Sequence, residues 1–138
     1  MSMFSLFNIA GSGMNAQSLR LNLIASNIAN ADSVASSEEE AYKARNPVFA
    51  ALFEQNYGQQ PAASGVRMLG VLESDVPHTI RFDPGHPLAD EDGYVFESNV
   101  DTVAEMTNMI SASRSFQNNV EIANTGKDLL LRTLRLGE

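Results

Sequence analysis

The sequence predicts a mainly α-helical protein with a small β insert, in which N- and C-terminal helices form a coiled-coil-like helical unit. Two observations predict this fold. Apolar residues recur at heptad spacing near both ends of the chain, which is typical of helices that pack along one face. Between the ends lie short β-branched segments separated by Pro and Gly, which is typical of short strands and loops. A length of 138 residues suits one helical unit with an insert.

The first predicted segment, residues 1–33, contains the N-terminal helix. Large apolar residues alternate along it with small and polar ones, so that the helix can approach a partner closely but packs loosely as an isolated pair. The predicted interface stripe consists of Phe7, Met14, Gln17, Leu21, Ile24 and Ile28. Gly11 and Gly13 predict that the helix begins between them with a weakly helical first turn, and Ser12 is its predicted N-cap.

Asn8, Asn15 and Asn22 also recur seven residues apart, one position behind the apolar row. They have two interpretations. The favoured one is a solvated flank, because amide side chains are mostly exposed in folded proteins. The alternative is a row of amide hydrogen bonds between neighbouring subunits.

The second predicted segment, residues 34–98, is an acidic loop followed by a β-rich insert. Acidic residues and then Gln, Ala and Pro predict a mobile loop at residues 34–64. Within it, residues 42–53 suit either a short strand or a helix. Short strands are predicted at residues 65–74, 78–82 and 93–96. A rigid turn is predicted at residues 83–87, where two prolines flank Gly-His.

The third predicted segment, residues 99–138, is a long helix. Asn99 or Asp101 can cap its start, Glu105 lies in an early turn that favours negative charge, and Gly137 lies just past its end. Its interface stripe consists of Met106, Met109, Phe116, Val120, Ala123, Leu130 and Leu134.

The two predicted helices differ in length. At about 1.5 Å per residue the second is about 52 Å long, whereas residues 10–31 of the first span about 33 Å. The first helix therefore cannot cover the apolar stripe of the second. The surplus stripe predicts a partner outside this chain.

The net charge of -8 is concentrated in the middle of the chain. Residues 32–105 hold 14 acids and four bases, whereas residues 1–31 and 106–138 each carry a net charge of +1. Nearly neutral ends can lie against copies of themselves without strong repulsion, and the acidic middle stays solvated. Nucleic acid is not predicted as a partner, because there is no basic stripe to replace the counterions of a phosphate backbone.

No cleaved secretory signal is predicted, because the first 19 residues contain no Lys or Arg and no continuous apolar run. No segment approaches the roughly 20 apolar residues of a membrane-spanning helix. The chain has no cysteine, which excludes disulfides and thiolate chemistry without deciding the compartment.

An enzyme is the least favoured class. His78 and His86 lie near four acids between positions 83 and 92, which is the best candidate cluster for a metal or an acid–base pair. Both histidines adjoin prolines, however, and the spacing of a metal-binding HExxH helix is missing. The serines at positions 111, 113 and 115 have no nearby His. We therefore predict no catalytic residue, no metal, no cofactor and no small-molecule substrate.

Two terminal segments resemble a known family. Residues 12–33 contain the pairs Ala-Gln and Arg-Leu and the four-residue motif Asn-Ile-Ala-Asn, called here the Asn-Ile-Ala-Asn box. This segment resembles the N-terminal signature of the rod, hook and hook-associated axial proteins of the bacterial flagellum. Residues 112–137 are similar to the matching C-terminal signature, and residues 83–106 resemble the proximal rod subunits within that family. The signature residues are Asn27, Ile28, Ala29, Asn30, Arg114 and Gln117.

The chain departs from the family pattern at two places. Ser98 stands where the family tends to have proline, so we expect a looser start to the long helix. The Glu-rich loop at residues 38–40 matches no family feature and takes no family role. For Arg114 two interpretations stay open, an exposed side chain or a contact to a carboxylate or carbonyl of a neighbouring subunit.

The resemblance implies a structural subunit of the proximal rod, located in the basal body and spanning the periplasm, that assembles into a helical drive shaft and transmits torque to the hook. Implied partners are copies of itself, other proximal rod subunits, the adjacent distal rod, the ring and export proteins of the basal body, and the flagellar type III export apparatus. The terminal helices are expected to order on assembly. The alternatives are another axial subunit, a non-flagellar two-helix interaction module and, least favoured, a metal-dependent enzyme.

We expect Leu130→Asp and Ile24→Asp to block rod assembly while export of the chain continues, because a carboxylate opposes burial between packed helices. Electron microscopy of isolated basal bodies scores assembly, and immunoblotting of the exported fraction scores export. Motile cells that carry either change would contradict the predicted packing.

Overall fold

The computed structural model describes residues 3–54 and 62–136. It confirms a mainly α-helical fold with a small β insert. In chain order the elements are α1 (Met3–Ala29), β1 (Val34–Ala35), β2 (Arg45–Glu54), β3 (Ala62–Glu73), β4 (Ile80–Phe82), β5 (Tyr94–Glu97) and α2 (Thr102–Leu136).

The chain forms two compact units, and each helix contributes to both. The first unit comprises Met1–Leu21, Pro47–Gly70 and Ser111–Glu138. The second unit comprises Asn22–Asn46 and Val71–Ile110. None of the helices in the described ranges is long and apolar enough to cross a membrane.

Helix α1 begins earlier than predicted. It runs for 27 residues from Met3, so the predicted start at Gly11 to Gly13 is wrong. Ser12 lies inside the helix, where its hydroxyl donates to the Ile9 carbonyl at 2.8 Å and accepts from the Val66 amide at 3.1 Å. Glycine weakens an isolated helix by about 1 kcal/mol, but tertiary packing overrides such a preference.

Helix α2 has 35 residues, as long as predicted. Asp101 caps it, since its Oδ1 accepts from the Val103 and Ala104 amides at 3.0 and 3.1 Å. Asn99, the alternative cap, has a different role in the second unit. Helix α2 remains longer than α1 by eight residues, the difference between 35 and 27.

In the part of the chain that the structure describes, five strands of two to twelve residues form two sheets. In the second unit, β1, β5 and β4 form an antiparallel sheet in that order, with Ala35 opposite Phe96 and Arg81 opposite Val95. Val95 is fully buried, so this central strand anchors the sheet. Strands β2 and β3 pair with each other.

The three predicted strands are confirmed as β3, β4 and β5, with ends shifted by up to three residues. Residues 42–53, for which the sequence allowed a strand or a helix, contain most of β2. Residues 36–44 carry neither helix nor strand, in agreement with their acidic composition. The rest of the predicted loop includes residues 55–61, which lie outside the described residues.

Gly65 allows β3 to approach α1 within the first unit. Its φ is 156°, and a Cβ placed on it would lie 2.6 Å from the Ser12 hydroxyl oxygen. That hydroxyl accepts the hydrogen bond from the Val66 amide. A side chain at this position therefore strains the backbone and displaces the hydrogen bond that joins the strand to the helix.

We expect Gly65→Ala to lower the free energy of unfolding by about 1–3 kcal/mol, because the backbone conformation and the contact with Ser12 both suit only glycine. Urea denaturation followed by circular dichroism measures the change. Gly70→Ala is the matched control, since Gly70 lies on the same strand and a Cβ there has no atom within 4 Å. Equal stability of the two variants would contradict this role of Gly65.

Candidate functional site

The helices α1 and α2 contact each other closely within the first unit. A Cβ placed on Gly126 would lie 2.7 Å from Cδ2 of Leu6, and one on Gly13 would lie 2.8 Å from the Asn119 side chain. Because positions 6 and 13 of α1 meet positions 126 and 119 of α2, the two segments run antiparallel. Such contacts at glycine bring the two backbones close together.

Small residues occupy the most buried positions of this helix pair. Ala10, Ala16 and Ala112 are 2%, 5% and 0% exposed, and Gly126 is buried as well. Of these positions, only Ala10 lies on the heptad pattern, seven residues before Gln17. The spacing of Ala10, Gly13 and Ala16 at every third residue is the sequence signal that predicts such a face, since residues three apart lie near each other on a helix.

Most residues of the predicted interface stripes are only half-buried in the single chain. Ile24 is the exception and is buried in the second unit, and the two that are largely exposed are Met106 and Leu134. The half-buried stripe residues are Phe7, Met14, Gln17, Leu21, Ile28, Met109, Phe116, Val120, Ala123 and Leu130. Asn8, Asn15 and Asn22 are all exposed.

Helix α2 also exposes large apolar side chains outside the predicted stripe. Burying such a side chain fully contributes about 1.5–3 kcal/mol, so this surface favours contact with another protein. The exposed large apolar residues of α2 outside the stripe are Val103, Ile110, Ile122, Leu129 and Leu131.

Asn27 joins three parts of the second unit. It is 1% exposed, and its amide nitrogen donates to the Arg45 carbonyl at 3.0 Å and to Oε2 of Glu105 at 2.9 Å. Its oxygen Oδ1 accepts from the Arg45 amide at 2.9 Å and from the Tyr42 hydroxyl at 3.1 Å. One side chain thus connects the end of α1, the start of β2 and the first turn of α2.

The four hydrogen bonds of Asn27 use its full bonding capacity. A carboxamide has two N–H groups to donate and two lone pairs to accept, and here each has a partner. Aspartate has no side-chain N–H, and its carboxylate only accepts hydrogen bonds at neutral pH, whereas leucine neither donates nor accepts. This explains why the first Asn of the Asn-Ile-Ala-Asn box requires an amide.

Asn99 has a similar role at a second point of the same unit. Its Oδ1 accepts from the Ala44 amide at 2.7 Å, and its Nδ2 donates to the carbonyls of Val76 at 2.7 Å and Ser74 at 3.2 Å. The side chain therefore pairs the segment before β2 with the segment after β3. The sequence pointed to Asn99 only as a possible helix cap.

The other signature residues lie in different environments. Asn30 is half-buried and donates to the Ser26 carbonyl at 2.8 Å. Arg114 and Gln117 are exposed on α2, and Ala29 is exposed at the end of α1. Their exposure in the described part of the chain does not explain the residue types at these three positions.

Ser98 is buried immediately before α2. Its hydroxyl accepts from the Val100 amide at 3.2 Å, and its own amide donates to the Ser33 carbonyl at 3.1 Å. Since proline has no N–H, it would lose the second of these hydrogen bonds. The segment before α2 is thus held by hydrogen bonds of both the backbone and the side chain of Ser98. The looser start expected from the missing proline stays a prediction.

The two histidines take part in local backbone structure. Nδ1 of His78 lies 2.8 Å from the Glu97 carbonyl, and Nδ1 of His86 accepts from the Leu88 amide at 3.1 Å. In the described part of the chain, no group of three or more His, Cys, Asp or Glu side chains is placed to hold a metal ion.

Comparison with known proteins gives consistent matches at both ends of the chain. The family model "Flagella basal body rod protein" matches residues 7–35, and "Flagellar basal body rod FlgEFG protein C-terminal" matches residues 91–136. The chain is 48% identical over 138 residues to the flagellar basal-body rod protein FlgC of Escherichia coli O6:H1 and to that of Salmonella typhimurium. It is 49% identical to that of Yersinia enterocolitica, and each match covers 100% of both chains.

We expect Asn27→Asp to destabilise the chain by about 3–5 kcal/mol, because it removes both donors and places a second carboxyl group beside Glu105. Urea denaturation at neutral pH measures the change. Asn30→Asp is the matched control from the same box and is expected to cost about 1 kcal/mol, since it loses one hydrogen bond. Similar losses in the two variants would show that Asn27 has no special role.

Proposed function

The chain belongs to the FlgC family of flagellar basal-body rod proteins, and we propose that it assembles into the rod through its terminal helices. It is a structural subunit of the flagellar basal body. The single observation that carries this conclusion is the match to FlgC proteins at 48% identity over the full 138 residues. An interaction module limited to two helices does not explain a match that includes the middle of the chain.

The exposure of the terminal helices supports the proposed mode of assembly. Leu134 is 62% exposed and Met106 is 53% exposed, and most other predicted interface residues are half-buried in the single chain. A fully exposed side chain of this kind gains about 1.5–3 kcal/mol on complete burial, and a partly buried one gains the share that corresponds to its remaining exposed area. Contacts of this kind between different faces of successive subunits generate an open helical array.

The three segments of the chain have different proposed roles. Residues 1–33 and 99–138 supply the assembling helices, and residues 34–98 supply the acidic loop and the β insert. A net charge of -10 between residues 32 and 105 favours solvation of this middle segment. The Arg114 and Gln117 side chains, which are exposed, are proposed contacts to neighbouring subunits.

Torque transmission is the proposed mechanical role. The close approach of α1 and α2 at Gly13 and Gly126 supports it, because interdigitated helices resist sliding. A rod that is built from such pairs passes rotation along its axis without any chemical step. We therefore propose that the chain has no catalytic activity.

The chain interacts with other rod and basal-body components. More specifically, we propose contacts with copies of itself, with other proximal rod subunits, with the adjacent distal rod and with the ring and export proteins of the basal body. Export through the flagellar type III apparatus without signal cleavage belongs to the same proposal. Ordering of the terminal helices on assembly would then occur after export.

We expect cells that lack this chain to make no complete basal body, and the intact chain to restore both basal bodies and motility. Leu134→Asp is expected to abolish the restoration, because it places a charge on an apolar surface that the rod buries. Leu134 suits this test better than Ile24, whose burial in the single chain makes an assembly defect inseparable from misfolding. Motility on soft agar and electron microscopy of basal bodies measure the outcome.

Asn124→Asp is the matched control, since it adds the same charge at an exposed position of α2. It is expected to leave motility unchanged. Full motility with Leu134→Asp would overturn the proposed role of the helix. Complete basal bodies in cells that lack the chain would overturn the proposed role of the protein.

A further inference from the structure

The first unit contains an open apolar groove between its two helices. The groove has a volume of about 620 Å³. Its apolar walls are Leu6 of α1 and Ile122 and Leu129 of α2, and Gly126 lies between them. The polar residues at its border are Asn118, Glu121 and Thr125. From residue 118 to residue 129 it follows α2 for about 16 Å, at 1.5 Å per residue.

An apolar ridge lies on the part of α2 that belongs to the second unit, and it consists of Val103, Met106 and Ile110. Val103, Met106 and Ile110 are 75%, 53% and 57% exposed. Their spacing of three and then four residues places them on one face of the helix, over about 10 Å of its length. Helices with such spacing bind apolar grooves in other proteins. The ridge is thus shorter than the groove and has the pattern of a helix that docks into one.

Within α2 itself, the ridge cannot reach Ile122 and Leu129 of the groove. The three ridge residues and these two groove residues lie on one helix, which runs from Thr102 to Leu136. Met106 and Ile122 are separated by 16 residues of that helix, or about 24 Å. The ridge can therefore fill a groove of this kind only on another molecule.

The charges of the two units favour a second copy in a shifted position. The second unit holds 13 acids and three bases, a net charge of -10, and the first holds four acids and six bases, a net charge of +2. Two second units side by side repel each other, whereas a second unit beside a first unit is attracted. The apolar ridge belongs to the acidic unit and the groove to the basic one.

Building on the rod function proposed above, we propose that the ridge formed by Val103, Met106 and Ile110 of one copy docks into the groove formed by Leu6, Ile122 and Leu129 of the next copy. The contact joins different surfaces of the two copies. Each copy thus keeps a free groove or a free ridge for the next, and the contact continues along an open array.

Disulfide trapping in assembled basal bodies tests this contact. The chain has no cysteine, so two variants, Met106→Cys and Ile122→Cys, expressed together provide its only thiols. Oxidation is expected to give a dimer that contains both variants, because docking brings the two positions close enough for local motion to reach the Cβ separation of about 3.5–4.5 Å that a disulfide requires. Mass spectrometry identifies the linked peptides.

Ala104→Cys expressed with Ile122→Cys is the matched control. Ala104 is exposed on α2 but lies on a different face from the ridge, so loss of the dimer band is expected. Equal yields from the control and from Met106→Cys would overturn the proposal. If Met106→Cys fails to enter basal bodies, Val103→Cys provides the same test from the same ridge.

A photo-crosslinking side chain at position 122 identifies the occupant of the groove independently. An adduct with residues 102–112 of a second copy supports the proposal, and an adduct with another protein or with none overturns it. Recovery of the variants in isolated basal bodies reports the rod function separately. A correct rod subunit with a wrong contact is therefore distinguishable from a protein that does not enter the rod.

Discussion

The hydrogen bonds of Asn27 hold the second unit together. This buried amide pairs with both backbone groups of Arg45 and also contacts Glu105 and Tyr42. These hydrogen bonds join segments that are far apart in the chain. The interior that they cross contains few large apolar side chains. A polar group with all its partners stabilises a unique arrangement, whereas one that has lost a partner costs free energy. The arrangement of α1, β2 and α2 in this unit depends on that completeness.

The distribution of apolar residues is unusual for a protein that acts alone. Small residues such as Ala10 and Ala112 are buried, whereas large ones such as Ile110 and Leu134 are exposed. Small residues permit close helix contact but bury little area, so the single chain gains limited hydrophobic stabilisation. The large side chains remain available to neighbours. This division between inside and outside suits a subunit whose helices complete their packing in an assembly.

Much of the fold was predictable because it depends on local patterns. The heptad spacing predicted α2, the two candidate caps Asn99 and Asp101 predicted where it starts, and β-branched runs predicted three of the strands. The start of α1 was not predictable from Gly11 and Gly13, because local propensity favours a break there and packing against Asn119 opposes it. The partners of Asn27 and Asn99 were not predictable either. These hydrogen bonds join residues 15 to 78 positions apart, and such distant pairs produce no regular spacing in the sequence.

The sequence by itself determined the class of fold, the helical ends and the acidic middle, since composition and periodicity express these directly. The resemblance to flagellar axial proteins rests instead on the terminal motifs. Only the tertiary structure decided which face of each helix is used within the chain. In the structure, Ala10, Gly13 and Ala16 lie on the face of α1 that packs within the chain, and large apolar residues of α2 stay exposed. The physical reason is that a heptad pattern shows which residues are apolar but not which surface they contact. The contact surface depends on the closest packing available to both helices.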